Sequence, residues 1–82
     1  MAQIATDRDV HMWILESGVE LEIVEADYQT PLVDLGVDSL DFYGILEFVE
    51  NVSGVRISDE AAPNLRSIAD IGSFIRSEAP TT

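Results

Sequence analysis

Apolar residues recur at helical spacing in three separate stretches of this chain. In the first, Val10, Trp13, Ile14 and Ser17 share one mostly apolar stripe. It follows Thr6-Asp7-Arg8-Asp9, which reads as a helix start with Thr6 as the cap and Asp9 completing a weak capping box. Gly18 is a stop signal. The next stretch, VELEIVEAD, alternates in the manner of a strand, but no second convincing strand is available to pair with it. An extension of the first helix or an ordered loop is therefore expected. Residues 27–38, DYQTPLVDLGVD, form a long connection punctuated by Pro31 and Gly36, with Leu32 and Leu35 placed to pin it onto the core.

A second helix is predicted from Asp38 or Ser39 to about Ser53, ahead of Gly54. Asp38 is its cap, and Asp41 stands at the third helical position, where a carboxylate favours free backbone N–H groups. On a helical wheel Phe42, Ile45, Leu46, Val49 and Val52 share the buried side. Leu40, Gly44, Glu47 and Asn51 occupy the opposite side, with Tyr43, Phe48 and Glu50 at the margins. Leu40 should therefore point outward immediately beside Ser39. After the loop GVRIS, a helical turn over residues 59–62 is expected to end at Pro63. A last helix starts at the box-like Ser67-Ile68-Ala69-Asp70, with Ile68, Ile71, Phe74 and Ile75 apolar. The expected fold is all-α, a small four-helix bundle of three main helices (6–18, 39–53 and 67–77) and a short third one (59–62), with a long first loop.

At 82 residues the chain makes one small domain, spanning residues 1–82. Its apolar fraction of 46% is too high for a disordered acidic tail. Sixteen acidic residues face four arginines and no lysine, for a net charge of -12. Such a surface repels nucleic acid phosphates and anionic lipid and is drawn to basic protein surfaces. With no cysteine there is no disulfide and no protein thiol chemistry, and the single His11 builds no metal site alone. No apolar run reaches the length of a membrane span, and the opening MAQIATDRD lacks the marks of a signal peptide. A cytoplasmic, stand-alone, monomeric protein is expected.

No catalytic cluster stands out. His11 has helical spacing to Asp7, which reads as a surface pair, and Glu47 with Glu50 reads as a solvated helix face rather than an acid/base pair. The informative segment is DLGVDSL, residues 34–40. A hydroxyl at a helix start is ordinarily a cap. Here Asp38 can take that role, which leaves Ser39 free to point outward at a helix start, where backbone N–H groups suit a phosphate. Ser39 has no histidine or lysine near it in sequence, so as a nucleophile it would need activation by another protein. A serine that is modified fits these facts better than one that catalyses.

DLGVDSLDF resembles the attachment motif of acyl carrier proteins and the related peptidyl carrier domains. The likeness extends over residues 10–77. TPLVDLGVDSL is similar to the approach to the attachment serine, ISDEAAPNL to the stretch through short helix three, and SIADIGSFI to the final helix. The resemblance implies that Ser39 receives 4'-phosphopantetheine from coenzyme A through a separate phosphopantetheinyl transferase. The arm's terminal thiol would hold an acyl cargo as a thioester, which accounts for a carrier without cysteine. The protein would itself be no enzyme. Acyl-transferring, condensing and modifying enzymes of fatty acid, polyketide or specialised lipid synthesis would dock through basic patches. The expected contacts are Asp38, Leu40, Asp41, Tyr43, Gly44, Glu47 and Glu50, with Asp59 and Glu60 nearby.

The second helix departs from the fatty acid synthase type. Gly44 and Asn51 stand where acidic residues are common there, and Tyr43 and Glu47 replace apolar residues on the partner-facing side. These departures fit a dedicated carrier in a specialised pathway. An interior glycine costs about 1 kcal/mol of helix stability relative to alanine, so Gly44 points to close approach by a partner or to something lying over the helix. Two rival readings stay open at this level. One is a carrier of amino acid or aryl cargo, as in peptide-synthetase systems, separable by activity with an adenylating enzyme rather than a ketosynthase. The other is an unmodified acidic interaction module in which Ser39 is only a cap.

Overall fold

In the computed structural model, which describes residues 5–78, every regular element is helical. Helix α1 spans Asp7–Glu16, α2 spans Ser39–Ser53 and α3 spans Ile68–Glu78, with short 3-10 turns at Glu25–Asp27, Leu32–Leu35 and Ala62–Asn64. Each main helix begins where its cap stands in the sequence. Asp9 N–H donates to Thr6 Oγ1 (3.1 Å) while Thr6 N–H donates to Asp9 Oδ2 (2.9 Å), closing a full capping box. Asp41 N–H donates to Asp38 Oδ1 (2.8 Å). At α3, Asp70 N–H donates to Ser67 Oγ (3.1 Å) and Ser67 N–H returns to Asp70 Oδ2 (3.2 Å). The stops hold as well. Gly18 and Gly54 follow α1 and α2 with φ of +97° and +76°, a left-handed backbone that glycine adopts without strain.

Helix α1 packs against both α2 and α3. The largest fully buried side chains are aliphatic: Val10 and Ile14 from α1, Leu32 from the long connection, Ile45 and Val49 from α2, and Ile68 and Ile71 from α3. Trp13, Tyr28, Phe42 and Phe74 rim this core rather than filling it. Val52 departs from the wheel, for it is 47% exposed. A 10-residue α1 is about 15 Å long against about 22 Å for the 15-residue α2, so α1 cannot cover α2 along its whole length. Periodicity aims Val52 inward without supplying a neighbour for it.

Residues 19–24 form a loop that leads into the 3-10 turn Glu25–Asp27, neither strand nor an extension of α1. Ile23 is buried within it. The connection from 17 to 38 is held to two helices through Tyr28. Its hydroxyl bonds His11 Nδ1 on α1 (2.7 Å), and its carbonyl accepts from Ala69 N–H on α3 (2.8 Å). Leu32 N–H donates to the Arg66 carbonyl (2.7 Å), and Leu32 itself is buried. The expected surface pair of His11 with Asp7 does not form. Asp7 instead bonds Arg76 across the α1–α3 contact (3.0 Å), and His11 meets the edge of Tyr28. The short helical turn also lies later than 59–62. Residues 59–61 make a turn, and the 3-10 segment Ala62–Asn64 contains Pro63 instead of ending before it. The first residues of a helical turn need no N–H donor within it, so proline is accommodated there.

Candidate functional site

Ser39 is the first residue of α2, one position after the capping Asp38. Its hydroxyl makes no hydrogen bond to any described residue, whereas the Asp38 carboxylate is engaged with Asp41 N–H. Gly36, at φ +99°, ends the 3-10 turn Leu32–Leu35 and lets the chain swing into α2. Val37 is buried just before the cap. The serine is thus presented at a fixed place by a buried neighbour and a capped helix, with its side chain in solvent.

An open groove of about 460 Å³ begins at Ser39. The connection contributes Pro31, Val33, Asp34, Val37 and Asp38, α2 contributes Ser39, Phe42 and Tyr43, and the 3-10 region contributes Ala62, Pro63 and Arg66. Its walls are mostly apolar. Two carboxylates and one guanidinium stand among them, and no histidine or lysine. A volume of this size lies in the range of sites for small organic groups.

The sequence-predicted contact residues spread outward from Ser39 along α2. Leu40 is 82% exposed and Tyr43 57% exposed, so both offer apolar surface to solvent. Asp38, Asp41, Gly44 and Glu47 are exposed. A second, smaller hollow of about 260 Å³ brings Tyr43, Glu47, Glu50 and Asp59 to one face, joining the loop after α2 to the acidic side of the helix. Glu60 is exposed but does not line it. Glu50 is half-buried and has an internal task, for its Oε1 accepts from Ile57 N–H (3.1 Å) and ties down the loop after α2. Leu46 reaches this second hollow, while Val49 is sealed in the core.

Gly44 is not required by internal packing. A Cβ there would meet nothing within 4 Å, and its φ is not in the left-handed region. Among the described residues no group of three His, Asp or Glu side chains is placed to hold a metal ion. No helix among them is long and apolar enough to cross a membrane. Sequence reasoning did not single out Val33, Pro63 or Arg66 for the site. They come from segments without helical period, and only the fold gathers them around Ser39.

Comparison with known proteins points the same way. Residues 12–75 match the family model for the phosphopantetheine attachment site. The chain is 40% identical over 60 residues to the acyl carrier protein of Arthrobacter sp. (strain FB24), covering 73% of each chain. The acyl carrier protein of Paenarthrobacter aurescens (strain TC1) matches to the same extent. That of Renibacterium salmoninarum is 39% identical over 62 residues, 76% of this chain and 75% of its own. No solved structure matches the chain. With the attachment-site match over most of its length and relatives of this kind, the chain belongs to the acyl carrier protein family, the non-catalytic carriers that bear a covalent 4'-phosphopantetheine arm.

Proposed function

We propose that Ser39 is the attachment residue, and that the protein presents an acyl group on the arm to separate enzymes of fatty acid, polyketide or specialised lipid synthesis. One observation carries this reading: Asp38 caps α2, so the Ser39 hydroxyl is exposed and unengaged at the mouth of a groove. The donor set fits the group. A free hydroxyl supplies the ester oxygen, a guanidinium stands in the same groove for the phosphate, and apolar walls suit the aliphatic part of the arm. When bound, the arm supplies a terminal thiol that holds the acyl group as a thioester.

The chain's own residues orient and do not activate. In the loading reaction the Ser39 Oγ–P bond forms as the bond from that phosphorus to the adenosine bisphosphate of coenzyme A breaks. The hydroxyl proton leaves to a base of the phosphopantetheinyl transferase, since no histidine or lysine lines the groove. Leu40 and Tyr43 offer an apolar centre for docking, and Gly44 leaves room beside them for a partner's backbone or side chain. Asp38, Asp41, Glu47 and Glu50, with Asp59, surround that centre with negative charge suited to basic patches. Exposed charges of this kind mainly raise the rate of encounter and set orientation, which lets the carrier leave quickly after each step. A monomer in the cytoplasm completes this reading.

The test is intact-protein mass after incubation with coenzyme A, magnesium and a broad-specificity phosphopantetheinyl transferase, beside Ser39→Ala. A gain of one phosphopantetheine in the parent only is expected. A gain in both proteins, or in neither with the fold intact, refutes the assignment of Ser39.

A further inference from the structure

Among the described residues Arg66 is the only cationic side chain lining the groove at Ser39. The one ion pair among the described residues joins Arg76 to Asp7; Arg8, Arg56 and Arg66 have none, and of these Arg66 alone lines the groove, beside Asp34 and Asp38. The Arg66 Nε–H reaches the Pro63 carbonyl at 3.4 Å, beyond the usual hydrogen-bond range. Both terminal amino groups of the guanidinium have no acceptor among the described residues. The backbone beneath it is held on both sides: the Arg66 carbonyl accepts from Leu32 N–H (2.7 Å), and its N–H donates to Asp70 Oδ2 (3.1 Å). The fold thus fixes the base of a side chain whose charged end is unspent.

Loading Ser39 adds a phosphodiester anion to a groove that already holds two carboxylates. Like charges oppose it, and a cation on the same walls offsets that cost. A guanidinium is a planar fork of donors matched to phosphate oxygens. We infer that Arg66 is a positioning residue for the arm. Its guanidinium pairs with the phosphodiester at Ser39 and holds the first segment of the arm back against Val33, Val37 and Phe42. The inference rests on attachment at Ser39. An exposed pair of this kind is weak and screened by salt, so it biases the arm toward the groove without trapping it. A partner's basic patch can then compete for the phosphodiester and draw the arm outward.

The experiment uses the loaded protein with a free thiol and no cargo, so that the phosphodiester is the only anion on the arm. Intact mass first establishes loading; its failure removes the Ser39 assignment and this inference together. The 31P resonance of the phosphodiester and the amide signals of Val33, Val37 and Phe42 are then compared in the parent, Arg66→Gln, Arg66→Lys and Arg56→Gln. Arg56 is exposed and lines neither hollow, so its replacement controls for net charge. The expected result is that Arg66→Gln shifts and narrows the 31P line toward that of the same loaded protein unfolded in urea and abolishes the loading-induced amide shifts. Arg66→Lys should restore part of both, Arg56→Gln should leave both in place, and added salt should move the parent toward Arg66→Gln. Equal behaviour of Arg66→Gln and Arg56→Gln in a loaded, folded protein overturns the inference and leaves attachment at Ser39 standing.

Discussion

Replacing Gly44 and Gly72 by alanine, one at a time, compares two interior helical glycines that differ in what a methyl group would touch. Alanine in a helix interior gains about 0.5–1 kcal/mol over glycine. At Gly44 a Cβ meets nothing within 4 Å, so the whole gain should be kept. In a domain of this size 1 kcal/mol moves Tm by about 4–8 °C, which gives an expected rise of about 2–8 °C for Gly44→Ala. At Gly72, which is buried, the new Cβ would collide with Asp7 Oδ1 and stand 3.0 Å from Arg76 Nη1. Relief requires the Asp7 carboxylate to swing away. That sacrifices the Asp7–Arg76 pair, worth about 0.2–1 kcal/mol at its partial exposure. It also disturbs the bond from Arg76 Nη1 to the Ala5 carbonyl (3.2 Å). Loss and gain are then of similar size, so Gly72→Ala should leave Tm unchanged or lower it. In an Asp7→Ala background the tighter obstruction is gone and the end of the unpaired Arg76 side chain can swing aside, so Gly72→Ala should become stabilising, a coupling that a double-mutant cycle in thermal or urea unfolding reads directly. A Gly72→Ala that stabilises as much as Gly44→Ala would refute the packing argument. A Gly44→Ala that stabilises the protein but slows its use by partner enzymes would show what the glycine is kept for.

Three further changes probe other parts of the argument. Ile14→Ala removes a fully buried side chain and should cost about 2–5 kcal/mol in urea unfolding, a large share of the roughly 4–12 kcal/mol expected of 82 residues; a cost near zero would mean that α1 is not docked as described. Asp38→Ala should cost about 1 kcal/mol by removing the α2 cap, whereas Ser39→Ala should stay within about 0.5 kcal/mol of the parent; the reverse order would make Ser39 the cap. Tyr28→Phe removes the hydroxyl bonded to His11 and should cost about 0.5–1.5 kcal/mol, with faster amide hydrogen exchange confined mainly to residues 19–38 if that bond restrains the long connection.

Much of the fold was legible in the chain because its signals are local. Thr6, Asp38 and Ser67 mark the three helix starts, and Gly18 and Gly54 the stops after α1 and α2, through backbone groups within a few residues of each. The arrangement of Asp38 and Ser39 was legible for the same reason: they are neighbours, and which of them caps α2 depends on one turn of backbone. What stayed hidden depends on pairs distant in sequence. His11 pairs with Tyr28 rather than Asp7, and Asp7 with Arg76, because the packing of α1 on α3 and the path of the long connection set those partners.

Sequence alone determined three helices, an exposed serine at the head of the second, and an acidic surface around it. Helical period, capping chemistry and charge are properties of short segments and of the total composition. Tertiary structure alone decided that Val52 is left uncovered, that Glu50 ties down the loop after α2, and that Val33, Pro63 and Arg66 stand around Ser39 as one groove. These facts depend on where separate elements end and cross. The helical period aims a side chain without saying what will lie opposite it.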